Sequence, residues 1–265
     1  MRTILVLLLL LIPTVAWAVT TTPFAVDGNT YALYLLDGTA GSAAKLDNAE
    51  GTAARDLTQN GSPTASTGQT TPTSNGAYTF TRTANQNLQN LDQSDFPTGA
   101  MSIEMWIKPA AVTPGDSQGV VTKYNGGGDN TFYLGRNDAT NFSCGFTNTS
   151  GTNFDSGNGT LTTATWHYVV CVYNPSTAVQ IYVDGSLGSQ NTTSIPSSIK
   201  DSTAKFMIGN YDQVEGTALN NFEGDVDAVK VSSVALTSTE ISNYYNDVVA
   251  GGAFYTTSPW WFIFW

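Results

Sequence analysis

Glu223, Asp225 and Asp227 stand at alternate positions in Glu-Gly-Asp-Val-Asp, a spacing that puts three carboxylates on one face of a β-strand. Two carboxyl groups flanking a sugar linkage are the machinery of glycoside hydrolysis, one acting as nucleophile or base and the other as proton donor. The third position weakens that chemistry, because Asp227 is one methylene shorter than a Glu and draws its carboxyl back. A second acidic constellation lies in Lys123-Tyr124-Asn125-Gly126-Gly127-Gly128-Asp129-Asn130 and in Gly209-Asn210-Tyr211-Asp212-Gln213-Val214-Glu215. The first of these stretches is equally an ordinary hairpin turn. Tyr124, Tyr211 and Phe154 fall in predicted loops, where an aromatic ring stacks on a sugar. His167 is the chain's single histidine, and behind Trp166 at a strand start it reads as structural. Neither a Gly-x-Ser-x-Gly elbow nor a phosphate-cradling loop is present.

The elements that must hold these residues are short strands. Alternation and Val, Ile and aromatic content predict strands over residues 31–36, 77–82, 102–108, 119–123, 131–136, 142–146, 167–173, 180–183, 205–208 and 225–231. Residues 60–75, rich in Thr and Ser with Pro63 and Pro72, read as a long surface loop. After the last strand, Thr237 or Ser238 followed by Glu240 predicts one capped turn of helix. The pattern makes an all-β, two-sheet antiparallel jelly-roll sandwich, with more strands than an immunoglobulin domain holds. Cys144 and Cys171 lie in consecutive predicted strands, which usually pair antiparallel, so facing cysteines would cross-link in an oxidising compartment; two buried free thiols are the alternative.

Three segments carry a family resemblance. Phe222 to Val231 with its helical clasp through Tyr245 resembles the last strand of laminin-G-like domains, a branch of the concanavalin A-like jelly rolls that includes the pentraxins. Ser102 to Pro109 resembles that family's early core strand, and Trp166 to Tyr173 with Ile181 to Gly185 its central hairpin. The likeness spans roughly residues 30–246 and implies a binding module, most naturally for glycans or glycoproteins. It also implies calcium: Asp227 matches a position that holds a structural Ca²⁺ against the loop containing Asp37 and Asp56. Asp129 and Asn130 match the first ligand-contacting calcium loop of the pentraxins, and Asp212 the second. Laminarinase-type hydrolases share the fold and carry Glu-x-Asp-x-Glu, which Glu223 to Asp227 approaches without the aromatic that follows it there. Hydrolysis is therefore one competing expectation, and an adhesive surface protein that binds other proteins is the other.

Composition bounds the partners. The chain has 10 basic against 21 acidic residues, a net charge of −11 that argues against nucleic acid or an anionic membrane. Met1-Arg2-Thr3, an apolar run over residues 4–12 and Ala16-Trp17-Ala18 read as a secretory signal peptide ending at residue 18, hence an exported protein. Residues 19–250 would then form one jelly-roll domain, and residues 251–265 an aromatic tail ending in Pro259-Trp260-Trp261-Phe262-Ile263-Phe264-Trp265, too short to span a bilayer.

Overall fold

The computed structural model describes residues 24–36, 51–68, 76–111, 117–125, 128–138, 140–210 and 221–249. The leader, Asp37, Tyr211, Asp212 and the aromatic tail lie outside the described residues. The strands are β1 (Thr30–Tyr34), β2 (Thr58–Asn60), β3 (Thr64–Ser66), β4 (Ala77–Phe80), β5 (Asn87–Asn90), β6 (Met101–Pro109), β7 (Gln118–Lys123) and β8 (Phe132–Arg136). They continue with β9 (Asn141–Thr147), β10 (Asn153–Asp155), β11 (Gly159–Thr160), β12 (His167–Asn174), β13 (Ala178–Val183), β14 (Ser186–Asn191), β15 (Phe206–Ile208) and β16 (Gly224–Ser232), and one helix follows, α1 (Ser238–Val249).

These strands form two antiparallel sheets. The first runs β14-β13-β12-β6-β16-β4-β3 with β1 beside β16, and the second runs β10-β9-β8-β7-β15-β5-β2 with β11 beside β9. Alternation decides which residues meet between them. Ile103, Met105, Ile107, Val169, Val226, Val229 and Val231 of the first sheet pack against Leu88, Phe132, Leu134, Phe142, Phe146 and Ile208 of the second, all essentially inaccessible to water. The expected jelly-roll sandwich is the observed fold.

Cys144 of β9 and Cys171 of β12 are joined by a disulfide with Cα atoms 6.1 Å apart. The strands do not pair with each other, as their succession in the chain implied. They belong to opposite sheets, so the bridge crosses the core and ties the layers together.

A bulge breaks the alternation of β16. Asp227 faces Trp106 and Val229 faces Met105, so Ala228 is the extra residue, held at φ +40°. Asp227 and Ala228 thereby both lie outward while Val226 and Val229 keep to the core. The outer face so formed is covered by α1, which has twelve residues rather than one turn. Thr237 caps it in a reciprocal box: Glu240 N donates to Thr237 Oγ1 at 3.3 Å and Thr237 N to Glu240 Oε2 at 2.8 Å. Ile241, Tyr244 and Tyr245 seat the helix on Trp106 and Tyr168, with Tyr244 stacked on Phe24 at 5.1 Å. Helix length follows from this apolar seat, which a local reading of the caps does not contain.

Residues 60–75 are not wholly loop, because Thr64–Ser66 forms β3 at the edge of the first sheet. Asp184 (φ +50°) and Gly185 (φ +76°) turn β13 into β14. Asp184 also accepts from His167 Nδ1 at 2.7 Å and Tyr168 N at 3.0 Å, which gives the lone histidine its structural role.

Candidate functional site

A cleft of about 390 Å³ lies beside β2, β5 and β15 on the second sheet. Asp56, Thr58, Gln89, Leu91, Gln93 and Lys205 line it. Gln89 and Thr58 are opposite one another in the register and point away from the core, while Leu88 between Asn87 and Gln89 points in. Leu91 is 72% exposed and, with Ala54, gives the lining apolar contact beside its polar groups. Lys205 Nζ lies 3.5 Å from Gln89 Oε1.

The cleft walls are pinned from behind. Arg55 donates to Tyr31 O at 2.6 Å, lies 3.9 Å over the Tyr31 ring and pairs with Asp95 at 2.5 Å, which fixes the turn leading to Asp56. Lys123, almost wholly buried, pairs with Asp92 at 2.6 Å and Asp201 at 3.2 Å and donates to Ser202 O. One ammonium thus ties the 91–96 segment to the 200–203 segment at the end of β7. Burial raises the carboxyl pKa of Asp201, an effect that Lys123 opposes.

Tyr124 follows Lys123 at the end of β7, which pairs with Phe206 at the start of β15. Tyr124 meets Tyr133 edge to face, ring centroids 6.4 Å apart. Tyr133 is half-buried on the outward face of β8 and opposite Gly145, whose missing side chain makes room for the Tyr133 ring and the Asp155 carboxylate. Alternation between inward Phe132 and Leu134 was the sequence signal for Tyr133, hidden because all three are apolar or aromatic. Phe154, expected in a loop, is a residue of β10 that packs against the core.

The acidic positions divide. Lys200 at 2.7 Å and the Thr203 amide and hydroxyl already take the oxygens of Asp129 and hold its pKa down to about 2. Asn130 Oδ1 accepts from Asn125 N, closing the turn. Asp56 belongs to the cleft at the edge of the second sheet, whereas Asp227 is buried on the outer side of the first, so these two expected calcium ligands are not brought together. No three His, Cys, Asp or Glu side chains converge among the described residues. A Cβ on Gly68 would collide with both Asp227 Oδ2 and Gly76 O, so a carboxylate and a carbonyl oxygen do meet in a cradle that only glycine leaves open.

The three carboxylates of the Glu-x-Asp-x-Asp pattern do not form an open cleft. Glu223 precedes β16 and accepts from Arg82 N at 2.5 Å, Asp225 pairs with Lys108 at 2.6 Å, and Asp227 is fully enclosed.

Residues 81–242 match a laminin-G profile described as the concanavalin A-like lectin/glucanases superfamily, and the chain belongs to that superfamily. No curated protein sequence matches. Among solved structures, the binding domain of Paraclostridial Mosquitocidal Protein 1 is similar at 13% identity and TM-score 0.62, covering 82% of this chain and 52% of that one. Domain 4 of AbnA, a GH43 extracellular arabinanase from Geobacillus stearothermophilus in complex with arabinotriose, is similar at 16% identity and TM-score 0.56, covering 82% and 98%. The botulinum neurotoxin serotype D ligand binding domain in complex with N-acetylneuraminic acid shows 10% identity and TM-score 0.58, covering 82% and 50%. This chain spans about half the length of the toxin domains it matches. No helix among the described residues is long and apolar enough to cross a membrane.

Proposed function

We propose that the protein is an exported, non-catalytic carbohydrate-binding module whose ligand lies in the Gln89–Lys205 cleft. The carrying observation is the lining itself. The Gln89 and Gln93 amides, the Asp56 carboxylate, the Thr58 hydroxyl and the Lys205 ammonium offer paired donors and acceptors for sugar hydroxyls, and Leu91 and Ala54 offer apolar surface to a sugar's C–H face. The pinned walls reduce the ordering cost of binding. Complexes of the similarly folded AbnA domain with arabinotriose and of the toxin domain with N-acetylneuraminic acid support a saccharide as ligand.

Enclosure of Asp227 and engagement of Glu223 support binding over hydrolysis, since a proton donor must reach the leaving oxygen. A calcium ion of the kind the family resemblance implies would count the two oxygens that meet at Gly68 among its six to eight ligands. Asp227 and the Gly76 carbonyl would hold it, and the ion would supply positive charge that ties the β3–β4 connection to β16. A glycan array with and without calcium, run on the wild type and Lys205→Ala, tests the assignment: bound glycans lost in the variant support the cleft, and an array blank for the wild type removes it.

A further inference from the structure

We propose that the opposite sheet carries a second saccharide site, built on Trp166, Lys108 and Asp225 and suited to a neutral pyranose with neighbouring equatorial hydroxyls. The register assembles it. Asp225 faces Lys108 on one side and Thr79 on the other, and the His167–Ile107 pair places Trp166 next to Lys108. An ammonium, a carboxylate and a hydroxyl therefore stand in line across β6, β16 and β4, with the Trp166 ring beside them just before β12. Lys108 Nζ lies 5.4 Å above the Trp166 ring and 2.6 Å from Asp225 Oδ2, while Asp225 Oδ1 accepts from Thr79 Oγ1 at 2.5 Å.

This row is the one next to that which α1 covers. The helix buries Trp106, Tyr168 and Ala228, whereas Trp166 stays partly open and the Lys108 side chain is 36% exposed. Packing against α1 thus accounts for Trp106 and leaves Lys108 and part of the Trp166 ring at the surface, with Asp225 beneath them at 7% exposed and also accepting from Ser66 Oγ at 3.4 Å. The ammonium does not bar a sugar from the ring, because an exposed cation–π contact shifts an equilibrium only about two- to five-fold. A pyranose laid on Trp166 would move Lys108 on its four-carbon stem towards the sugar's hydroxyls, where ammonium donates and Asp225 accepts. The ion pair cancels its own charge, and the chain's net −11 repels polyanions, so the ligand is neutral. Two sites on opposite sheets would let one module cross-link polysaccharide chains.

Affinity electrophoresis through gels containing a soluble β-glucan, xylan, galactan or glucomannan tests this, with the full chain as Trp166→Ala, Trp166→Phe, Lys108→Met and the cleft variant Gln89→Ala/Lys205→Ala. The expected result is at least about ten-fold weaker retardation by Trp166→Ala in one polysaccharide, rescued by Trp166→Phe and persisting in the cleft variant's background. Beads coated with that polysaccharide should agglutinate with wild type and with neither single-site variant. Loss in Trp166→Ala with the cleft variant unaffected would keep this site and remove the cleft. Retardation unchanged in both Trp166→Ala and Lys108→Met, or absent for the wild type in all four gels, overturns it; Lys108→Met decides if Trp166→Ala fails to fold.

Discussion

The Tyr168 hydroxyl donates to Glu104 Oε1 at 2.5 Å, and the carboxyl that receives it is only 5% exposed, directly across from Lys230 on β16. Burial raises the Glu104 pKa from 4.5 to about 7; the Tyr168 hydrogen bond and Lys230 oppose the shift, and Asp27 and Glu240 reinforce it. Lys230 is itself tied to Asp27 at 2.8 Å, so the charged groups of the N-terminal segment, β16 and α1 all converge on this carboxyl.

A raised acid pKa means that the folded state holds its proton longer than the unfolded state. The associated stability is complete below about pH 4.5 and is lost as pH rises towards about 7, by at most about 3 kcal/mol. Urea unfolding at pH 5 and pH 7.5 should show this fall, and Glu104→Gln should flatten it. Asp129 acts oppositely and lower, its stabilisation being lost as pH falls from 3.8 towards about 2.

Replacing Cys144 and Cys171 with alanine should cost about 3 kcal/mol, because the bridge closes a separation of 27 residues in the unfolded chain and crosses the core in the folded one. Denaturant midpoints with and without reductant give the same number independently. Two thiols that alkylate in the non-reduced protein would contradict the bridge.

Calcium should raise the melting temperature of the wild type and not of Asp227→Asn, since a ligand that binds only the folded chain adds its binding energy to stability. Gly68→Ala should melt lower in chelator as well, because its methyl group meets Asp227 and the Gly76 carbonyl. Equal melting in calcium and chelator would remove the ion from the account.

No steady release of reducing ends is expected from β-glucan or galactan. Turnover abolished by Glu223→Gln with folding intact would show that Glu223 leaves the Arg82 amide and acts as a catalytic group.

The strands that build the core were legible because alternating Val, Ile and aromatic residues bury one face: Ser102 to Lys108 and Asp225 to Val231 are the two central strands of the first sheet. The edge strands were not. Ser186–Asn191 and Thr64–Ser66 are polar and pair on one side only, so their conformation is imposed by a neighbour rather than by their own pattern. Sheet membership was also invisible, which is why Cys144 and Cys171 read as partners across one sheet when they face each other between two. Of the candidate cleft, Asp56 was singled out only as the calcium ligand that the family resemblance implies, while Gln89 and Lys205, ordinary surface residues in sequence, gain meaning only from the β15–β5 pairing.

The central claim is tested most directly by titration calorimetry of the strongest array ligand into wild type and Gln89→Ala/Lys205→Ala, in the Trp166→Ala background so that only the cleft is read. The account predicts a measurable Kd without the double replacement and at least about ten-fold weaker binding with it, a loss of about 1.4 kcal/mol, at unchanged melting temperature. Equal affinity in the two proteins would contradict it.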